Sequence, residues 1–196
     1  MRLSETDRLE AFSDGVMAVI ITIMAFSIPP PDGTSASAIR GLLPHLLVYV
    51  LSFAMIGIYW NNHHHLLRAT EKIGGSVMWA NLVLLFSLSL FPIVTAWVGH
   101  FPRSYVPSMA YGLVGLAAGL AYTILVRTII RVNGADSTVG RTVGNDTKGW
   151  VSLVLYGSGM ALAFASHSPW IAYGIYASVA VMWFIPDRRL AVDNEA

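Results

Sequence analysis

The sequence predicts an all-α, polytopic membrane protein with six transmembrane helices and no soluble domain, residues 1–196 forming a single six-helix unit. Three observations lead there. Only 12% of the residues are charged, against roughly 25% in soluble globular domains. The apolar residues, 55% of the chain with a mean hydropathy of +0.61, are gathered into long blocks of the kind that read as membrane spans. The few basic residues, finally, fall almost entirely on one side once those blocks are threaded back and forth.

The spans are expected at about 9–28, 39–60, 77–98, 107–130, 150–165 and 169–185. The first stops at Pro29-Pro30-Pro31, a run that cannot continue a helix. The second has the composition to run on as a helix through His63, His64 and His65. The third begins after Gly74-Gly75, and the fourth is rich in Gly and Ala, which permits close helix packing. The fifth and sixth lie near the lower length limit of about 17 residues, and the sixth ends at Pro186.

With a cytoplasmic N-terminus, the cytoplasmic segments hold Arg2, Arg8, Arg68, Lys72, Arg127, Arg131, Arg141, Lys148, Arg188 and Arg189, ten of the twelve basic residues. Only Arg40 and Arg103 fall outside. This is the asymmetry the positive-inside rule expects for short loops, so both termini of a multi-pass cell-membrane protein are expected in the cytoplasm. The six tryptophans lie mostly near span ends, as an interfacial belt requires. The first block reads as a span rather than a cleavable signal peptide, because it lacks a basic run before it and carries Asp14 within it. The chain has no cysteine, which removes disulfides, thiolate metal sites and thiol nucleophiles. A net charge of +1 gives no footprint for nucleic acid.

An ionisable side chain inside a span is costly, and points to function by default. Asp14 lies in the first block, with Arg8 six residues before it. One reading makes Ser13-Asp14 a helix N-cap. That would leave about 14 residues before the prolines, too few to cross a ~30 Å core at 1.5 Å per residue. The other reading turns Asp14 inward. Three adjacent histidines are about 100° apart on a helix and make a poor metal site. Either they favour the negative end of the helix dipole, or one turns inward toward Asp14. Asn81, one turn into the third span, is a further partner, giving a buried Arg8–Asp14–His63–Asn81 cluster that would satisfy groups lipid cannot; with Ser13, these residues make up the expected structural polar network.

Further along the first span, Val19, Thr22 or Ile23, and Phe26 share one face. Such a stripe faces lipid or packed core in most proteins; in a symmetric oligomer it lines a pore and closes it by dewetting. Two other patterns carry less. Thr138-Val139-Gly140 and Thr142-Val143-Gly144 echo the start of a carbonyl filter, but they sit in the polar 131–148 stretch with no pore helix before them. A hydrolase built on Ser13, Asp14 and a histidine fails because adjacent helical side chains diverge by about 100°.

Arg8-xxx-Phe12-Ser13-Asp14 resembles the RxxxFSD signature of the transmembrane-protein-175 family of potassium channels. Tyr59-Trp60-x-x-His63, Gly74, Asn81-Leu82-x-Leu84-Leu85 and Pro92-x-x-Thr95 are similar to that family's second and third spans, so the resemblance covers about the first half of the chain. It implies a homotetramer whose first helices line a central cation pathway, with no carbonyl filter. By position it makes Val19, Ile23 and Phe26 the constriction and Thr22 a nearby hydroxyl bearing on selectivity. It places Arg8, Asp14 and His63 in a polar network bracing the pore helix. Valine at 19 and phenylalanine at 26 depart from the family's usual larger aliphatic and aliphatic residues, respectively. The resulting expectation is a potassium-permeable channel, not an enzyme, without cofactor or bound metal, whose partners are copies of itself, lipid and permeant K⁺. The alternative is a proton- or ion-coupled secondary transporter with Asp14 and a histidine as relay.

Overall fold

The computed structural model describes residues 5–143 and 147–184, which form helices joined by short connections, with no strand among them. The helices are α1 (Glu5–Phe26), α2 (Ala36–Arg68), α3 (Gly75–Ser89), α4 (Phe91–His100), α5 (Tyr105–Asn133), α6 (Thr138–Val143), α7 (Thr147–Ser166) and α8 (Trp170–Phe184). Five segments are long and apolar enough to cross a membrane: α1, α2, α3 with α4, α5 and α7. The shorter α8 is apolar throughout its 15 residues. The six expected spans therefore each coincide with a helix or helix pair. Ile185 and Pro186, where the sixth was expected to end, lie outside the described residues, as do Arg2, Arg188 and Arg189.

The helix boundaries follow from local chemistry. α1 starts no later than Glu5, with Glu5 and Asp7 in its first turn, where carboxylates complement the positive end of the dipole. Ser13 and Asp14 are thus two turns inside the helix, and the capping reading is not what the chain adopts. α1 ends just before the prolines. α2 takes in all three histidines and finishes with His65 and Arg68 in its last turn.

The third span departs from the expectation of one continuous helix. It breaks at Leu90 into α3 and α4 because Pro92 lacks an N–H and its ring crowds the carbonyl four residues before it. Leu90 keeps a helical backbone, its N–H bonding to the Ser87 carbonyl, so the break is a kink within one span. The 131–148 stretch, expected as a polar loop, contains α6, with Val139 buried. The first Thr-Val-Gly triplet is therefore helical, unlike the extended carbonyl ladder of a filter.

α1 packs on α2, α3 and α4; α5 packs on α3, α4 and α7; and α7 pairs with α8, so α1 borders one side of the protomer. The fourth span's glycines act as receptors for aromatic rings. A Cβ at Gly115 would lie 2.5 Å from Tyr156 Cε1, and one at Gly112 would lie 2.7 Å from Tyr176 Cζ. The Tyr176 ring lies between those of Tyr111 and Tyr156, at centroid separations of 5.8 and 5.4 Å, and the three fill the space between α5, α7 and α8.

Candidate functional site

α1 has two faces of different character. Ser13, Met17, Ile20 and Met24, spaced i, i+4, i+7, i+11, are buried against the neighbouring helices. Phe12, Val19, Ile23 and Phe26 are exposed on the single chain. The outward face follows alternating steps of four and three residues through Arg8, Phe12, Gly15, Val19, Thr22 and Phe26. This is the seam spacing with which helices pack around a common axis. Thr22 Oγ1 donates to the Val19 carbonyl at 2.9 Å, which uses its proton inside the helix and leaves the oxygen lone pairs facing outward.

Behind this face runs a directed chain of hydrogen bonds. His63 Nε2 lies 2.7 Å from Asn81 Oδ1, Asn81 Nδ2 donates to Ser13 Oγ at 2.9 Å, and Ser13 Oγ donates to the Leu9 carbonyl at 2.8 Å. Because the Asn81 amide nitrogen is committed to Ser13, its oxygen must accept, so His63 carries its proton on Nε2. All three side chains are fully buried, and the chain ties α2, α3 and α1 together. An amide in the middle does not take up and release protons under ordinary conditions, so this chain holds helices rather than relaying protons.

The other residues singled out by sequence stand beside this chain rather than in it. Asp14 is half-buried, with Oδ1 shielded from solvent and lacking a hydrogen-bond partner among the described residues. Arg8 is exposed. His64, not His63, meets a carboxylate: its Nδ1 lies 2.5 Å from Glu10 Oε1, and its ring stacks on Trp60. Of the polar network expected from the sequence, Arg8, Ser13, Asp14, His63 and Asn81, the structure joins Ser13, Asn81 and His63 by hydrogen bonds and leaves Arg8 and Asp14 outside that chain.

A second buried polar cluster was signalled in the sequence only through Thr95 of the Pro92-x-x-Thr95 match, and its other hydroxyls stand isolated. Ser52 Oγ lies 2.7 Å from Thr95 Oγ1 and 3.1 Å from the Tyr111 hydroxyl, and Thr95 Oγ1 reaches Met24 Sδ at 3.9 Å. It ties α2, α4 and α5 to the buried face of α1, two turns or more beyond Ser13. Between them, the two clusters hold α1 along most of its length. Among the described residues no group of three or more histidines and carboxylates is placed to hold a metal.

Known proteins resemble this chain in sequence and in fold. A family model described as "Endosomal/lysosomal potassium channel TMEM175" matches residues 8–92, which takes in α1, α2, α3 and the start of α4. A protein of Chryseobacterium sp. (strain P1-3) named as a potassium channel is 46% identical over 93% of this chain and 94% of its own length. A Bos taurus protein named as an endosomal/lysosomal proton channel, TMEM175, is 35% identical over 54% of this chain, which spans only 22% of that larger protein. The crystal structure of a lysosomal potassium-selective channel TMEM175 homolog from Chamaesiphon minutus superimposes with a TM-score of 0.79 at 25% identity, covering 95% of this chain and 99% of that one.

Proposed function

The chain belongs to the TMEM175 family, and from that premise we propose that it is a potassium-permeable cation channel, passive, formed by a homotetramer with α1 of each copy around a central axis. One observation carries the reading: the outward face of α1 presents Val19, Thr22, Ile23 and Phe26 away from the protomer's own core, while the opposite face is clamped. A bulky apolar stripe exposed on one copy becomes a set of rings when copies are related by a rotation axis. Narrow apolar rings gate by expelling water. Val19, Ile23 and Phe26 supply those rings. The Thr22 oxygens between them offer lone pairs to a partly dehydrated K⁺.

The Ser13–Asn81–His63 chain and the Ser52–Thr95–Tyr111 cluster set where that stripe sits by fixing the back of α1. Arg8 and the Asp14 oxygen that has no hydrogen-bond partner among the described residues lie toward the stripe's basic end, where contacts outside the protomer would satisfy them. The arginine-rich side is cytoplasmic in this reading, with the protein in the cell membrane. K⁺ is the permeant ion, and no cofactor takes part. The relatives' names speak for a channel rather than an enzyme or a coupled transporter, and the amide at the centre of the buried chain argues against a proton relay.

Flux measurements in liposomes with K⁺, Na⁺, Cs⁺ and H⁺ gradients test the proposal. K⁺ is expected to pass faster than Na⁺. Because animal relatives are named proton channels, the proton arm decides whether H⁺ passes as well. Val19→Ala or Ile23→Ala is expected to raise conductance and loosen selectivity. Absence of cation flux would sink the channel; unaltered currents in every such variant would sink the assignment of the stripe.

A further inference from the structure

One surface of α5 and α7 has a composition the conduction pathway does not use. Leu120, Ile124, Arg127 and Arg131 follow i, i+4, i+7, i+11 along α5, and all four are exposed. An apolar stripe thus passes into two cations one turn apart. Beside it on α7 are the exposed Trp150 and Val154. The Arg127 guanidinium carbon sits 5.4 Å from the centre of the Trp150 ring. That contact holds the guanidinium through its charge over the ring and uses none of its N–H donors as hydrogen bonds, leaving them for an anion, in the fork geometry that suits phosphate. Among the described residues no carboxylate lies within ion-pair distance of Arg127 or Arg131. α1 packs on α2, α3 and α4, whereas α7 packs on α5 and α8, so this face is on a different flank from the proposed pore stripe.

We propose that this face is a binding site for one anionic phospholipid of the leaflet on the arginine-rich side. Its phosphate is held by Arg127 and Arg131, and an acyl chain lies over Leu120, Ile124 and Val154 with Trp150 at the headgroup boundary. Charge complementarity selects the occupant. Each basic side chain near an anionic surface contributes on the order of a fivefold preference, so two together amount to about 25-fold over a zwitterionic lipid. The apolar stripe selects a lipid over a free phosphate, because only a lipid brings a chain to cover it. Nothing in this assignment depends on which ion the protein conducts.

Native mass spectrometry of the full-length protein, titrated with phosphatidylglycerol or phosphatidylcholine, tests it. Wild type should retain phosphatidylglycerol about 25-fold more strongly, and about 0.5 M salt should erode the difference. The double variant Arg127→Gln, Arg131→Gln should bring the two lipids near parity. Arg103→Gln, which alters an exposed arginine at the opposite end of the bundle, should leave the preference intact. Should the double variant fail to fold, Arg127→Lys with Arg131→Lys keeps the charges and should keep most of the preference, and the salt series on wild type stands alone. No preference in wild type, or a preference that survives salt or the glutamine pair, would overturn the site.

Discussion

Asn81 on α3 donates to Ser13 on α1 at 2.9 Å, deep in the protomer, and so couples the third span to the first through a neutral pair. Leaving one side of a buried pair unsatisfied costs about 1–3 kcal/mol. Asn81→Leu strips partners from both His63 and Ser13, and should lower stability by about that amount. Ser13→Ala removes the acceptor for Asn81 and the donor to the Leu9 carbonyl but leaves the His63–Asn81 bond in place, and should cost less than Asn81→Leu. Thermal denaturation in detergent, read by loss of the assembled peak on gel filtration, measures both. The double variant should be less destabilised than the sum of the singles, since the two share one bond.

That pair also shows what was readable from the chain and what was not. The rarity of Asp14 drew attention to the right turn of the right helix. The phase of the helix, however, decides which of two neighbours faces inward. Ser13 lies in step with Met17, Ile20 and Met24, and Asp14 is rotated from it by about 100°. Span positions were legible because block length and proline runs are one-dimensional signals. The kink at Leu90 was carried by Pro92 but hidden by the unbroken apolarity around it. The Ser52–Thr95–Tyr111 hydrogen bonds and the tyrosines seated on Gly112 and Gly115 join residues 41 or more positions apart, and nothing in local spacing announces them.

Gly112 on α5 and Gly57 on α2 separate two effects of the same substitution. At Gly112 an added Cβ collides with the Tyr176 ring and with Met160 Cγ at 2.8 Å, whereas at Gly57 nothing lies within 4 Å. Gly112→Ala should therefore destabilise by about 1–3 kcal/mol through overpacking. Gly57→Ala should be neutral or stabilise by up to about 1 kcal/mol through helix propensity. Tyr176→Phe removes a buried hydroxyl with no hydrogen-bond partner among the described residues, should be tolerated alone, and should rescue part of the Gly112→Ala loss. Melting temperatures of the three single variants and the Gly112–Tyr176 double variant decide it.

Asn133, the last residue of α5, binds the α2–α3 connection. Its Oδ1 accepts from the Lys72 N–H at 2.8 Å, and its Nδ2 donates to the Lys72 carbonyl at 3.1 Å. One amide thus satisfies both main-chain groups of a residue that belongs to no helix. Asn133→Ala should leave the bundle intact and raise amide exchange around Lys72 by about fivefold, the equivalent of roughly 1 kcal/mol for the lost bonds. Hydrogen–deuterium exchange on peptides covering 69–75 reads this directly. Unchanged exchange there would mean the connection is held by other contacts.

Val19 and Met17 test the two faces of α1 against each other. Met17 is 1% exposed and Val19 is 54% exposed, though they are two residues apart on one helix. Met17→Ala opens a cavity among packed helices and should cost about 2–5 kcal/mol of stability. Val19→Ala removes two methyl groups from an outward surface; within the protomer it leaves no cavity and should move the melting temperature little. In the tetramer proposed here those methyl groups narrow the water path, so the same change should raise K⁺ flux and weaken discrimination against Na⁺. Thr22→Val keeps the size but removes the lone pairs, and should lower K⁺ preference without widening the path. If Val19→Ala instead destabilised as strongly as Met17→Ala and left flux unchanged, the outward stripe would be a packing surface between subunits, and the ion path would have to lie elsewhere.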